Sequence, residues 1–264
     1  MGMESIFTLN VPALASFVLT LVRISLLVFL LPFYGGENIP VPVKGALCIV
    51  LSLALWPHLS FDALYLPAHP FGFLLLILGE LLVGLMLGLY VYFIFAGVQT
   101  AGQLMGFQMG FTMMQLADPL SGAQLPGTSH LLYMVALVIF LTLDGHLYLL
   151  QALTSSFAIM PPGGFVPRPV LISEIIRLSA QMFILAVKIA GPILAALFLV
   201  ELALALMAKA APQMNLLVIG MPLKIAVGFF FMFIVFTLLG RTIEESIYDL
   251  GPLFRNLLRM SAPA

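Results

Sequence analysis

Charged residues and cysteine are both scarce in this chain. Asp, Glu, Lys and Arg make up 8% of the 264 residues, whereas soluble domains contain about 25%. The net charge is −1, and no Lys/Arg cluster reaches the density of a nucleic-acid or anionic-lipid site, so we expect no nucleic-acid partner. Cys48 is the single cysteine, which excludes a disulfide within one chain and leaves the redox compartment open.

The familiar catalytic and metal-binding patterns are also missing. The 4 histidines include no pair at i,i+4 spacing, and the chain has no Cys/His cluster. It contains no phosphate-binding glycine loop, no Gly-x-Ser-x-Gly elbow and no His-Glu-x-x-His helix. We therefore expect neither an enzyme nor a cofactor or metal site. At Asp144 and His146 we expect a helix cap rather than a metal site.

Apolar residues dominate what is present. They make up 62% of the chain, and the mean hydropathy is +1.19, whereas soluble domains are about 45–50% apolar. The composition predicts an integral membrane protein, and at about 20 residues per span six stretches could each cross a bilayer as helices rather than as short barrel strands. Glu4 stands where a secretory signal would be basic, so we expect the first stretch to be retained. The stretches are Ile6 to Leu31, Val41 to Trp56, Phe71 to Val98, His130 to Leu150, Leu178 to Met207 and Met214 to Leu239.

The pattern predicts an all-α, polytopic membrane protein of long, kinked helical hairpins with about six apolar segments. Phe71 to Val98 would be about 42 Å long as one helix, against about 30 Å of hydrocarbon, so it must tilt, break or leave the lipid. Gly191-Pro192 predicts a kink in its own stretch. The run from Met160 to Pro169 is the best internal boundary, before a C-terminal hairpin that turns at Ala208 to Gln213.

Glycine recurs every fourth residue at Gly102, Gly106 and Gly110, directly before a Met-rich, amide-rich stretch. On a helix these glycines fall on nearly one face, where another backbone can approach closely. One interpretation is ordinary helix packing. The other is that glycine supplies bendable backbone while methionine supplies a soft, adaptable seal. We call residues 102–122 the Gly/Met segment.

Several charged residues lie within or at the edges of the apolar stretches, where each costs several kcal/mol unless it is paired or hydrated. Acids and bases are balanced, so pairing inside the helix bundle or with a partner subunit is one explanation. A proton or ion relay is the other, because intramembrane carboxylates could titrate. No partner for these charges is evident from the sequence alone. The residues are Arg23, Glu80, Asp144, Lys188, Glu201 and Lys224.

Three motifs occur in order along this hydropathy profile. They are Arg23 through Pro32 followed by Asn38-Ile39-Pro40, Gly102 through Pro119 with its Gln-Met-Gly-Phe core, and residues 211–215 leading to 220–225. With these motifs the chain resembles the FliR family of flagellar export-gate subunits, whose virulence counterpart is the T-type subunit of type III secretion injectisomes. The resemblance covers nearly the whole length.

The resemblance implies a non-enzymatic core subunit of the flagellar type III protein export gate. Family members look like a fusion of two smaller gate subunits, so residues 1–165 would be FliP-like and residues 170–264 FliQ-like. One copy joins several FliP and FliQ subunits in a helical, hetero-oligomeric pore for unfolded substrates. The family's loop matching residues 106–122 plugs the closed pore. The gating residues implied here are Gly102, Gly106, Gln108, Met109, Gly110, Phe111, Met113, Met114, Gln115, Asp118 and Pro119.

The resemblance also implies a partner-contact turn in the C-terminal hairpin. Residues 209–215 match the small subunit's turn, which faces the cytoplasm and meets the FlhB switch protein. The C-terminal tail would then lie on the opposite side, whereas the Lys/Arg distribution alone favours both termini in the cytoplasm. We give the hairpin match more weight. The residues concerned are Lys209, Pro212, Gln213, Asn215, Pro222 and Lys224.

A second function stays open beside the export gate. A proton- or ion-coupled small-solute transporter that uses Glu80, Asp144 or Glu201 would also contain kinked helices and intramembrane charges. The resemblance favours the gate, placed in the bacterial inner membrane at the flagellar basal body and projecting toward the periplasm. A gate subunit should copurify with partner chains, whereas a transporter should purify alone or as a homo-oligomer.

Overall fold

The computed structural model describes residues 11–35, 39–58, 69–111, 127–166, 168–211, 213 and 215–261, and these residues form helices with no β-strand. The predicted all-α, polytopic membrane fold is therefore confirmed. Short helical turns follow the first two helices at Pro32–Gly35 and Trp56–His58. The helices are α1 (Val11–Leu30), α2 (Val41–Leu55), α3 (Pro70–Met109), α4 (Gly127–Thr142), α5 (Gly145–Ile159), α6 (Pro169–Ala210) and α7 (Leu216–Ser261).

Four of these helices, α1, α3, α6 and α7, are long and apolar enough to cross a membrane. A fifth span results if α4 and α5 count together, although they are bent by 66° where they meet. The 15 residues of α2 extend about 22 Å, which is less than the roughly 30 Å of bilayer hydrocarbon. The expectation that all six stretches could cross is thus not met by α2.

The long helices are longer than their apolar stretches predicted. The helices α3, α6 and α7 contain 40, 42 and 46 residues, or about 60–69 Å, which is twice the hydrocarbon thickness. The predicted overlength of Phe71 to Val98 is confirmed, because α3 extends that stretch to Met109. α6 continues through Pro192 without a break, and the kink there stays a prediction.

The chain divides into two compact units. The first combines the described residues up to Tyr92 with residues 144–178 and the chain from Ile247 onward, and the second combines residues 93–143 with residues 179–246. Each unit draws on both sides of the predicted boundary at residues 160–169. The division into FliP-like and FliQ-like halves is based on resemblance to two smaller subunits and not on how the chain forms compact units. It stays a prediction.

Each unit has its own aromatic contacts. In the first, the Trp56 indole N–H donates to Ser16 Oγ at 3.0 Å, and its ring lies edge-on to Phe17 with centroids 5.9 Å apart. In the second, the Phe95 ring meets Phe140 edge-on at 5.5 Å. Phe95 and Phe140 are buried, whereas Phe17 and Trp56 are half-buried, and the polar indole group of Trp56 has a hydrogen-bond partner. Edge-on ring contacts and a satisfied indole N–H are the arrangement that aromatic side chains favour.

Candidate functional site

The Gly/Met segment begins inside α3 and leaves it at a left-handed glycine. Gly102 and Gly106 are buried in the helix, whereas Gly110 follows its last residue with φ of +91°. The Gly110 N–H donates to the Phe107 carbonyl oxygen at 3.1 Å, which closes the final turn. Because glycine adopts positive φ without steric cost, Gly110 ends the helix instead of continuing the stripe.

Gly102 makes the close backbone approach that the glycine stripe predicted. A Cβ built at Gly102 would lie 2.4 Å from Ser129 Cα at the start of α4. Two hydroxyls join the same helices: Thr128 Oγ1 donates to the Gly102 carbonyl oxygen at 2.8 Å, and Ser129 Oγ donates to the Gln99 carbonyl oxygen at 2.9 Å. These contacts therefore hold the second and third residues of α4 against α3.

The described methionines of this region face the protein interior. Met105 and Met109 are both 0% exposed, while Gln108 and Phe111 are half-buried. The role of Met109 in sealing a pore stays a prediction, as does that of the neighbouring glycines. The other predicted gating residues, Met113, Met114, Gln115, Asp118 and Pro119, lie outside the described residues.

Arg23 and Glu80 form a fully buried ion pair in the first unit. Arg23 Nε donates to Glu80 Oε2 at 2.5 Å, and the two side chains are 0% and 1% exposed. The other guanidinium nitrogens donate to the Met160 carbonyl oxygen at 3.1 Å and to Ser156 Oγ at 3.2 Å. Glu80 Oε1 accepts from the Gly163 N–H at 3.0 Å. Both charges thus have partners inside this chain, as in the explanation by pairing within the helix bundle.

The surroundings of this pair leave little room for change. The Phe157 ring lies 4.2 Å from Arg23 Cζ, in the cation–π arrangement. A Cβ built at Gly84 would lie 2.7 Å from the Arg23 carbonyl oxygen. The pair therefore joins α1, α3, the end of α5 and the loop after it, and this loop leads into α6.

The remaining intramembrane charges lie nearer the surface. Lys224 of α7 pairs with Glu201 of α6, and Lys188 lies 3.7 Å from Glu245 with both side chains mostly exposed. Asp144 is exposed and precedes α5 with φ of +56°. Its carbonyl oxygen accepts from the Leu147 N–H at 2.8 Å, but its side chain makes no capping hydrogen bond. The cap expected at Asp144 and His146 is therefore formed by the backbone alone.

The predicted partner-contact residues surround the turn between α6 and α7. Lys209 lies in the last turn of α6, and Lys209, Gln213, Asn215 and Pro222 are exposed, whereas Lys224 is half-buried beside Glu201. Pro212 lies outside the described residues. Exposure suits a contact surface, but the contact with a partner stays a prediction. Among the described residues, no group of three His, Cys, Asp or Glu side chains comes together to hold a metal ion.

Sequence reasoning missed two partners of the Gly/Met segment. Ser129 meets Gly102, as described above, and Gly228 of α7 meets Met109, whose Cε lies 2.6 Å from the position of a Cβ at 228. A usable signal was the glycine directly before the bulky run Phe229-Phe230-Phe231. A single small residue beside large ones on an apolar helix indicates a close contact.

Comparison with known proteins gives one family and several relatives. The family model described as "Bacterial export proteins, family 1" matches residues 14–250. The flagellar biosynthetic protein FliR of Bacillus subtilis (strain 168) is 32% identical over 254 residues, covering 93% of this chain and 95% of that protein. FliR of Escherichia coli (strain K12) is 30% identical over 238 residues, covering 90% of each chain.

A relative from a virulence system also matches. The Yop proteins translocation protein T of Yersinia pestis is 32% identical over 186 residues, which cover 68% of this chain and 70% of that protein. The flagellar relatives thus match over more of the chain than this virulence relative does.

Proposed function

Because the chain belongs to the bacterial export protein family 1, we propose that it is a non-enzymatic core subunit of a flagellar type III protein export gate. The observation that carries this proposal is the similarity to flagellar FliR proteins over 90% or more of the chain. Each match also covers 90% or more of the relative's own length.

The proposed assembly joins this chain with FliP and FliQ subunits in the bacterial inner membrane, around a channel for unfolded flagellar substrates. Helices of about 60–69 Å support it, because lipid alone covers only about half of such a length. Large apolar side chains also face outward along α7, with Phe230 70% and Phe233 75% exposed. Such surfaces need lipid or partner subunits to cover them. In this proposal the exposed turn at residues 209–215 meets the FlhB switch protein.

Within the assembly, the Gly/Met segment closes the channel. Its first residue, Gly102, contacts Ser129 of α4, so α3 is held against the helix that follows the segment in the chain. In this proposal the methionine and phenylalanine side chains of the segment form an apolar constriction, and a narrow apolar passage excludes water and ions.

The transporter alternative receives less support from the described residues. Glu80 is held between Arg23 and the Gly163 N–H, and Glu201 is paired with Lys224. A groove of about 230 Å³ lies between α5 and the end of α7, but its lining contains none of the three candidate carboxylates. The described geometry thus favours a subunit of a larger assembly over a solute-coupled carboxylate.

The experiment combines copurification with a measurement of leak. The chain is coexpressed with FliP and FliQ, purified in mild detergent and reconstituted, and ion conductance is compared between the wild type and Met113→Ser/Met114→Ser. We expect both partners to copurify and the variant to conduct ions with unchanged subunit content. A chain that purifies alone would contradict the gate assignment. An intact complex with unchanged conductance would contradict the sealing role.

A further inference from the structure

A groove of about 230 Å³ runs between α5 and the last part of α7, inside the first compact unit. The wall formed by α5 extends from Tyr148 to Ile159, and the wall formed by α7 extends from Ile247 to Leu258. The lining residues recur every three or four positions, so each wall is one helical face. At 1.5 Å per residue, the groove is about 17 Å long.

The floor of the groove is apolar and is held from behind. Phe254 and Leu258 line it and are 2% and 1% exposed. The Phe254 ring meets Tyr90 of α3 edge-on, with centroids 6.0 Å apart. The other wall is also fixed, because Arg23 donates to Ser156 Oγ on a face of α5 that does not line the groove. Both walls are therefore packed against the protein, and the groove is a preformed concavity.

Two small residues, Ala152 and Gly251, leave the middle of the groove open. A Cβ built at Gly251 meets nothing within 4 Å. No part of the described chain therefore uses the space that the missing side chain leaves, in contrast to the close approach of Ser129 at Gly102. Packing within this chain does not explain why the position is a glycine.

The rim of the groove is polar. Tyr148 and Tyr248 meet at one end, with ring centroids 6.4 Å apart. Gln151, Ser155 and Arg255 are exposed farther along. Among the described residues, no carboxylate pairs with the Arg255 guanidinium, which has only donors to offer. The groove thus combines an apolar floor with a rim whose single charged group is an unpaired cation.

The two walls begin near the ends of apolar stretches. The stretch from His130 to Leu150 ends in the first turn of one wall, and the stretch from Met214 to Leu239 ends about two turns before the other. Tyrosine is enriched where a helix leaves the hydrocarbon, and arginine extends its charge toward the headgroups. The order of apolar stretch, tyrosine and Arg255 along α7 is therefore that of a helix passing through the headgroup level.

The width of the groove decides between a lipid chain and a helix. Spread over about 17 Å, its volume corresponds to a mean width of about 4 Å. An alkyl chain is about 4 Å across, whereas a helix with its side chains is about 10–12 Å across. The groove admits a lipid chain and is too narrow for a helix of a partner subunit.

We propose that the groove binds one anionic phospholipid, with an acyl chain along the apolar floor and the phosphate at Arg255. A guanidinium can donate two N–H groups to one phosphate, which no other lining side chain can do. A single phosphate needs one cation and not a polybasic cluster, so the low density of Lys and Arg gave no indication of this site. Lipid binding here does not depend on the export-gate proposal.

The first test measures bound lipid by native mass spectrometry. The full chain is purified in detergent, and phosphatidylglycerol or phosphatidylcholine is added to the wild type, to Arg255→Gln and to Arg241→Gln. We expect the wild type to retain several-fold more phosphatidylglycerol and Arg255→Gln to lose this preference. Arg241→Gln is the matched control, because Arg241 is exposed on the same helix outside the groove. No preference in the wild type, or an unchanged preference in Arg255→Gln, would overturn the inference.

A second test fills the groove. Gly251→Leu places an apolar side chain in its open middle, where the new Cβ meets no neighbour. We expect a several-fold loss of both lipids with an unchanged unfolding temperature in lipid-free detergent. Gly240→Leu is the control, since a Cβ there also meets nothing within 4 Å and Gly240 lies outside the groove. Lipid retention by Gly251→Leu equal to that of the wild type would argue against an acyl chain on the floor.

A photoactivatable lipid tests the wild-type chain, so its outcome depends on no variant. Phosphatidylglycerol with a diazirine on one acyl chain is added in a large excess of phosphatidylcholine, and the modified residues are mapped by peptide mass spectrometry. We expect modification at Ala152 and Phe254 to persist in this excess, whereas modification at the outward-facing Phe230 and Phe233 falls with dilution. An equal fall at both places would overturn the inference.

The same labelling is repeated after coexpression with FliP and FliQ. Labelling of the groove in the chain alone but not in the complex would show that a partner subunit covers the groove, and the inference would be wrong for the assembled protein. If FliP and FliQ do not copurify, the export-gate proposal fails, while labelling of the chain alone still tests the lipid site.

Discussion

Neutralising one member of the Arg23–Glu80 pair should be among the most destabilising changes in this chain. Glu80→Gln keeps the size of the side chain but leaves the Arg23 guanidinium buried without a counter-charge. It also turns an amide NH₂ toward donors, because the two carboxylate oxygens now accept from Arg23 Nε at 2.5 Å and from the Gly163 N–H at 3.0 Å. Breaking a buried pair from one side typically costs about 3–5 kcal/mol.

Because both side chains are fully buried, breaking this pair should cost more free energy than breaking an exposed ion pair. An exposed pair supplies the matched control: Lys188 and Glu245 are 61% and 68% exposed, and such pairs contribute about 0–1 kcal/mol. We therefore expect Glu80→Gln to lower the free energy of unfolding by about 3–5 kcal/mol, and Glu245→Gln by less than about 1 kcal/mol. The difference is large enough to survive the usual scatter between sites.

The assay is reversible unfolding of the purified protein in mixed detergent micelles, with a double-mutant cycle. Arg23→Met/Glu80→Leu removes both charges, so it should cost less than the sum of Arg23→Met and Glu80→Leu. It should not be neutral, because the Met160 carbonyl oxygen and the Gly163 N–H lose their partners, at about 1–3 kcal/mol for each buried group. Additive single effects, or a Glu80→Gln cost near that of Glu245→Gln, would refute the reasoning.

Two further changes test the contacts around the other helices. Gly102→Ala should cost about 1–3 kcal/mol by overpacking and should lower subunit copurification, because its new Cβ would meet Ser129 Cα, and a backbone atom cannot rotate away. Gly191→Ala is its control, since a Cβ there meets nothing within 4 Å, and equal losses in both variants would argue against the close approach. Glu201→Gln should cost about 1 kcal/mol or less in the same unfolding assay, because its pair with Lys224 is partly exposed; a loss as large as that of Glu80→Gln would show that the pair is buried in the working protein.

The presence of the helices could be predicted well, because an apolar stretch is a local property of the chain and indicates whether its residues are surrounded by lipid or protein. Helix ends could not, as α7 illustrates: the apolar stretch stops at Leu239, but the helix continues to Ser261. Arg241, Glu244 and Glu245 end the apolar stretch, but exposed charged side chains do not interrupt the backbone hydrogen bonds of a helix. Hydropathy therefore predicted where lipid or protein surrounds α7, and not where the helix stops.

The candidate site likewise has features that the sequence predicted and features that it could not predict. The i,i+4 spacing of Gly102 and Gly106 predicted a close approach, and Gly102 makes it. The sequence could not indicate that the approaching residue is Ser129, or that Met109 lies against Gly228. These pairs are far apart in the chain, and their contact depends on how whole helices pack.

By itself, the sequence determined the membrane class, the all-helical fold and the family, because composition, apolar run length and ordered motifs are properties of the chain alone. It also showed that acidic and basic residues are balanced in the apolar stretches. Only the tertiary structure decided that Arg23 pairs with Glu80, 57 positions away, and that the pair binds the loop leading into α6. A buried charge needs a partner wherever packing supplies one, and the choice of partner is set by the positions of helices that no local pattern encodes.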